Sequence, residues 1–442
     1  MIKNNWQPLT LGFLSFLTRF IFLGYPSKVV FDEIYFGSYV KEYFTHSYFY
    51  NDHPPLGKLI IYFFAKIFGL SNYADFNSIG QMINGSDGLI LRFMPAFFGA
   101  LFVLLIYYLI LKIGLSKKAA FMGATLVLFD NAVLVQSKLI LLDIFLLFFG
   151  FLSFYFLLWF KGSKQGSKKS YIFLALAVTS AGLSFSVKWT GLSFVGIVGV
   201  FFLMDVFKNF NIKRVFINFL IITILPFLIY FCIFAVHFSL LTKSGLGDAY
   251  MNQDFWHINI SQKFFELNQK MYFYTSTLKA THPYSSKWYQ WPLDKRPIWY
   301  WSQQSGDKIS NIFLIGNPVV WWAVIFSVLI SCGLLFFKSF RKNLSWIFYV
   351  LILGYFANLL PFILIGRVTF LYHYLSSLIF GILILVFLCD KFMSGKKYFS
   401  NFYWSFISLV FLAFIIISPI SYGFPLPINI SHFYNYFVNF FL

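Results

Sequence analysis

Polar residues are scarce along this chain and fall at intervals. They leave apolar runs of the length a helix needs to cross about 30 Å of hydrocarbon, roughly 20 residues. Such runs lie near 9–24, 89–111, 119–136, 139–160, 171–187, 189–207, 215–238, 317–337, 345–365, 374–390 and 402–420. They predict an all-α integral membrane protein, a bundle of about eleven transmembrane helices. Two longer segments, 25–88 and 239–316, space aromatic residues among polar ones, as short helices lying in the membrane interface do. In the first of these, Phe31, Tyr35 and Tyr39 recur at helical spacing and predict a stripe resting on lipid. The expected organisation is one transmembrane domain over 1–420 with an outward-facing tail over 421–442.

Composition sharpens this picture. Of the 442 residues 59% are hydrophobic and 11% charged, where soluble domains carry roughly 25% charged residues, so a water-soluble fold is excluded. The net charge of +19 would point to nucleic acid if it formed one patch. Instead the cations sit in short clusters: Lys112–Lys118, Lys161–Lys169, Lys208–Arg214, Lys338–Lys342 and Lys391–Lys397. With Lys3 these hold 17 of the 34 Lys and Arg, whereas all 15 acidic residues lie elsewhere, Asp205 and Asp390 just beside two of the clusters. Every second short loop is basic, which places the N-terminus in the cytoplasm and both long segments outside a plasma or inner membrane. Cys232, Cys332 and Cys389 each lie in or at the end of an apolar run and form no disulfide framework. A nucleic-acid partner is not expected.

The chemistry-bearing residues gather in the outer segments. Asp32-Glu33 reads either as the start of an interfacial helix, with Asp32 as cap, or as a pair of reactive carboxylates held at the membrane surface. In Asn51-Asp52-His53-Pro54-Pro55-Leu56-Gly57-Lys58 two prolines stiffen a turn that projects Asp52 and His53. Those side chains and the Lys58 ammonium are parts able to steer a proton and bind a phosphate. Arg92, Lys138, Lys188 and Arg367 map to the outer ends of spans. Each alone is explained by a snorkelling stem; four together at one depth point to a bound anion, and a lipid phosphate is found there. The second outer segment carries His282-Pro283-Tyr284, Trp291-Pro292 and Arg296-Pro297, either an aromatic belt or a surface for a sugar or an extended peptide.

These motifs, in this order, resemble the protein O-mannosyltransferases. Phe31-Asp32-Glu33, Tyr48-Phe49 and Asp52-His53-Pro54-Pro55-Leu56-Gly57-Lys58 are similar to that family's first luminal loop. Phe129-Asp130-Asn131-Ala132, Gln136-Ser137-Lys138, Leu141-Leu142-Asp143 and Ser186-Val187-Lys188-Trp189-Thr190-Gly191 follow. The C-terminal half adds Gly316-Asn317-Pro318, Trp321-Trp322 and Phe370-Leu371-Tyr372-His373-Tyr374. The resemblance implies a GT-C class enzyme that moves mannose from a polyprenyl-phosphate carrier to Ser or Thr hydroxyls of exported proteins. Lys138 stands where the family usually carries arginine, which keeps the charge and loses the bidentate fork. The second outer segment is too short for the MIR domains of eukaryotic members, so a compact bacterial form is expected.

The reaction needs a general base for the hydroxyl and cations for the departing phosphate. Asp32 is expected as the base, with Glu33 orienting the acceptor or a cation. Arg92, Lys188 and Arg367, and more weakly Lys138, are expected at the phosphate. Asp52, His53, His282, Tyr284, Arg296 and His373 are expected to support the loops or bind acceptor. No cofactor or metal is expected, although Asp32, Glu33, Asp52 and His53 leave a divalent ion open, their spacing matching no compact metal motif. The rival readings are a transferase acting on a glycolipid or glycan and, from another class, a transporter with ionisable groups near the midplane. The basic-loop pattern predicts that a cysteine placed between Lys161 and Lys169 resists an impermeant thiol reagent in intact cells while one near Asn84 reacts. Reversed labelling would overturn the orientation.

Overall fold

The computed structural model describes all residues except 1–5, 72, 74, 209, 343, 394 and 442; Lys3 of the topology argument lies outside the described residues. In chain order the first helices are α1 (Trp6–Phe20), α2 (Glu33–Thr45), α3 (Leu56–Ile67), α4 (Gly85–Ile113), α5 (Lys117–Leu128) and α6 (Asn131–Lys138). They are followed by α7 (Asp143–Lys161), α8 (Lys168–Val187), α9 (Leu192–Lys208), α10 (Ile212–Leu240) and α11 (Ile260–Thr277). A hairpin of β1 (Ile298–Ser305) and β2 (Lys308–Leu314) precedes α12 (Pro318–Leu334), α13 (Lys338–Arg341), α14 (Trp346–Leu359), α15 (Leu375–Leu388) and α16 (Phe399–Tyr422). Strand β3 (Leu426–Pro427) and α17 (Ile428–Phe440) close the chain.

All eleven apolar runs become helical, but they are not equivalent. Among the described residues eight helical stretches are long and apolar enough to span a membrane, and a ninth is gained if α5 and α6, bent by 60°, count as one span. The bend has a local cause. Asp130 takes the N-cap position of α6 and accepts a hydrogen bond from the Val133 N–H at 2.9 Å, so the helix restarts in a new direction.

The chain forms two compact units: Met1–Phe31, Ala96–Leu139 and Ala280–Leu442 make one; Asp32–Pro95 and Ile140–Lys279 make the other. In the first, β1 and β2 pair antiparallel and β3 adds to β2, which departs from the all-α expectation. Trp299 and Trp301, aromatics of the second long segment that suit an interfacial belt or a binding surface, lie on β1. The expected tail is also ordered. Tyr434, Val438 and Phe441 pack with Phe313, Ile315, Ile417 and Ile420 in one apolar cluster. The Asp130 carboxylate is the polar hub of this unit, accepting from Val133 N, Asn317 N (3.2 Å) and Trp321 Nε1 (2.7 Å).

The second unit carries α2 and α3 of the long segment 25–88 together with α7 to α11. The expected lipid-facing stripe is only partly formed. Tyr35 is exposed, but Tyr39 stacks on Phe49 with ring centroids 4.7 Å apart. Phe31 belongs to the first unit, where it is buried before α2 begins, at φ +48°, flat against Tyr300 at 4.0 Å.

Removing the acceptors of Asp130 orphans three N–H groups, each at a cost of about 1–3 kcal/mol. Asp130→Ala is therefore expected to lose at least about 3 kcal/mol, read as a lower unfolding temperature of the detergent-solubilised protein. Unchanged melting would show that the hub contributes nothing.

Candidate active site

Asp32 and Glu33 are neighbours with opposite fates, because successive helical residues point about 100° apart. Glu33 opens α2 and is fully buried. Arg92, in the second turn of α4, is buried as well and donates from Nε and Nη2 to both Glu33 oxygens, each at 2.7 Å. The Ile140 N–H donates to Glu33 Oε1 at 2.9 Å. Arg92 was expected at a lipid phosphate; in the structure its Nε and Nη2 are turned to Glu33. The geometry is that of a buried bidentate pair, where removing either partner strands the other charge.

Asp32 occupies the N-cap position of α2, yet its side chain makes no capping bond. Among the described residues its carboxylate has no hydrogen-bond partner. It is partly shielded, and burial pushes its pKa up to about 7; Lys188 opposes the rise, while Asp143 and Asp52 add to it. It is therefore a carboxylate poised near neutral pH beside a cation, with free lone pairs.

Lys188 is fixed by a tight turn. It follows α8 in extended conformation, and the 3₁₀ turn Trp189–Gly191 folds back on it, with the Gly191 N–H donating to the Lys188 carbonyl at 2.9 Å. A Cβ on Gly191 would lie 2.5 Å from the Ser184 backbone, so only glycine allows this return. The Lys188 ammonium donates to both oxygens of Asp143, at 2.9 and 2.8 Å. Asp143 is the first residue of α7, where the helix dipole favours a carboxylate. The sequence motif contains Asp143, but no role was expected of it. The only signal was its place at the head of an apolar run.

The Asn51–Lys58 turn belongs to this unit. His53 Nδ1 lies 3.7 Å from Asp52 Oδ1, beyond hydrogen-bond range, while Asn51 Nδ2 donates to Asp52 Oδ1 at 3.3 Å. Lys58, one of the parts able to steer a proton or bind a phosphate, is buried and turned inward. Among the described residues no group of three or more His, Cys, Asp or Glu is placed to hold a metal ion.

The remaining expected residues lie in the other unit. Lys138 is pinned: its ammonium donates to the carbonyls of Arg19 and Ile21 and sits 4.7 Å from the Tyr422 ring centroid. It closes α6 against the end of α1 rather than presenting its charge outward. His282, Arg296 and Arg367, joined by Lys287, line a cavity of about 620 Å³ with no carboxylate in its wall. The cavity's two sides are stitched by Ser286 N–H to Thr369 O at 2.9 Å and by Thr369 Oγ1 to Ser286 O at 2.6 Å. Tyr284 lies over Trp299 at 6.5 Å. His373 is packed between Trp291 and Phe362, at 5.8 and 5.1 Å, and accepts from the Phe370 N–H, which makes it a packing residue of the loop. A carboxyl that sequence reasoning passed over, Asp294, is fully buried; Oδ1 accepts from Gly316 N–H at 3.0 Å and Oδ2 has no partner among the described residues, so burial raises its pKa well above the carboxylate range.

The fold is that of the GT-C glycosyltransferases. The S. cerevisiae protein O-mannosyltransferase Pmt1-Pmt2 complex bound to the sugar donor superposes with a TM-score of 0.88 at 19% identity, covering 96% of this chain and 90% of that one. ArnT from Cupriavidus metallidurans bound to undecaprenyl phosphate aligns at a TM-score of 0.55 and 12% identity, over 92% of this chain and 70% of that one. In sequence, residues 9–242 match the family model of dolichyl-phosphate-mannose-protein mannosyltransferase, and 260–436 match the C-terminal four-transmembrane region of protein O-mannosyltransferase. The chain belongs to the protein O-mannosyltransferase family. Dolichyl-phosphate-mannose--protein mannosyltransferase 6 of Saccharomyces cerevisiae is 32% identical over 263 residues, 57% of this chain and 35% of that protein. Protein O-mannosyltransferase 1 of Drosophila melanogaster is 29% identical over 256 residues, 56% and 29% of the two chains. The chain thus matches about a third of the length of these curated relatives.

If Arg92 serves Glu33, Arg92→Met leaves a buried carboxylate unpaired at a cost of about 3–5 kcal/mol. The double variant Glu33→Met/Arg92→Met should melt higher than Arg92→Met alone. A double variant no more stable than the single one would show that the pair is not the unit of stability.

Proposed function

We propose that this protein transfers mannose from a polyprenyl phosphate to Ser or Thr hydroxyls of proteins, on the outer face of the membrane and with inversion of the anomeric centre. The observation that carries this reading is Asp32: a carboxylate spent on no hydrogen bond, its pKa raised to about 7 and opposed by an ion-paired lysine. Its relatives, named as protein mannosyltransferases, favour a protein acceptor over a glycolipid.

In the proposed step the acceptor hydroxyl oxygen attacks the anomeric carbon while its proton passes to Asp32. The bond from that carbon to the phosphate oxygen breaks, and the phosphate leaves with the electron pair. Charge grows on the phosphate as the bond breaks, so a fixed cation lowers the barrier without an acid. Lys188 is assigned to it, with Asp143 holding the ammonium in place. Glu33 and Arg92 act at one remove, anchoring the start of α2 so that Asp32 keeps its direction. Asp52 tunes Asp32 through space. His282, Arg296 and Arg367 are assigned to anionic or acceptor contacts in their own cavity. The reading calls for no metal.

Two measurements on the purified protein in lipid nanodiscs, with polyprenyl-phosphate mannose and a Ser/Thr-rich peptide, test the base. Asp32→Asn should slow transfer by at least about 10²-fold with little change in donor affinity. Because the base works as the carboxylate, the parent rate should fall as pH is lowered through about 7. An active Asp32→Asn variant would remove Asp32 from the chemistry.

A further inference from the structure

Lys58 is a buried ammonium in an unfavourable place. It lies in the first turn of α3, where the helix dipole disfavours a cation, and among the described residues no carboxylate is within ion-pair distance. Its three donors meet three neutral oxygens of one short turn: Asn51 Oδ1 at 2.7 Å, the His53 carbonyl at 2.9 Å and the Pro54 carbonyl at 3.3 Å. The rings of Tyr39 and Phe49 stand 5.8 and 6.0 Å away. A buried charge held only by neutral acceptors costs stability, so its purpose is not the stability of α3.

What the ammonium fixes is the shape of the turn. Asn51 is the hub: Oδ1 takes both Lys58 Nζ and the His53 N–H (3.2 Å), and Nδ2 reaches Asp52 Oδ1. Pro54 and Pro55 have no N–H, so the turn cannot close on itself by backbone bonds. The carbonyls of His53 and Pro54 are instead gathered by Lys58. Two residues after the second proline, a Cβ on Gly57 would lie 2.8 Å from Leu142 Cδ2, which seats the turn on the residue preceding Asp143. We propose that Lys58 and Asn51 form a latch that fixes the Asp52 carboxylate where its charge acts on Asp32 through space, making both of them positioning residues for the transfer reaction. The proposal rests on Asp32 being the base. Burial lowers the Lys58 pKa to about 7, against the pull of Asp52 and with Lys188 adding to the fall, so the latch is sensitive to the same pH range as the base. The charged and titratable groups around Asp32 are Lys188, Asp143 and Asp52; those around Lys58 are Asp52, Lys188, Tyr39, His53 and His237.

The test compares the full-length protein with Lys58→Met and Asn51→Ala, measuring kcat, the KM for polyprenyl-phosphate mannose, and the pH profile of transfer. Misplacing a group that acts on the base should lower kcat by roughly tenfold to a hundredfold and leave donor KM within about twofold. With Asp52 released, its upward push on Asp32 is lost, so the acid limb should move to lower pH. Asn51→Ala keeps the ammonium and removes its nearest acceptor. Its limb must move the same way, and it alone decides the matter should Lys58→Met fail to fold. In the double variant the losses should be less than additive, as for residues of one network. Unchanged kcat and an unmoved acid limb in a folded variant, with Asp32→Asn inactive, would overturn the latch and leave the base standing. Full activity of Asp32→Asn would overturn the base itself.

Discussion

The pairing of Glu33 with Arg92 is the constraint on which the candidate site depends. A carboxylate and a guanidinium, both sealed from solvent, are tolerable only as a close pair with the remaining lone pairs satisfied, and here the Ile140 N–H completes the set. The pair ties the first turn of α2 to α4 and to the approach to α7. Asp32, one residue before Glu33, inherits a fixed backbone without having to spend its own side chain on it. A carboxylate that also capped the helix would have its lone pairs occupied and its pKa lowered. The structure separates the two tasks, anchoring through Glu33 and leaving Asp32 unspent.

A second ion pair completes the electrostatics. Lys188 and Asp143 neutralise each other, as do Glu33 and Arg92, so the cluster around Asp32 is not a simple pool of positive charge. A lone lysine there would hold Asp32 ionised at low pH and make it a weak base. Pairing the lysine lets desolvation prevail and brings the carboxyl to about 7. The same pairing places a cation near Asp32 without leaving it unpartnered in a shielded site. Charge balance accounts for how one small region combines a carboxyl poised near neutral pH with a fixed ammonium, the two groups the proposed transfer uses.

In the other unit, cations that look alike in sequence have different surroundings. Lys138 is absorbed by backbone carbonyls and an aromatic ring, whereas Arg367, Arg296 and Lys287 face one polar cavity. Position at the end of an apolar run does not distinguish these cases, since a snorkelling stem, a carbonyl clamp and a cavity wall all need the same residue at the same depth. The three-stranded sheet was missed for a related reason. Trp299 and Trp301 suit both an interfacial belt and a short strand, and only the pairing of β1 with β2 separates them.

By itself the sequence determined the solvent, the number of apolar runs, the two long segments between them and the family. Each of these follows from local composition, run length or motif order. Asp32 was legible because an acidic pair beside a span is costly wherever it folds. Tertiary structure decided which charges remain available. Glu33 meets Arg92 across 59 positions, and Lys188 meets Asp143 across 45. In a low-dielectric interior the energy of a charge is set by whatever lies within a few ångströms of it, and that neighbour is chosen by packing rather than by distance along the chain.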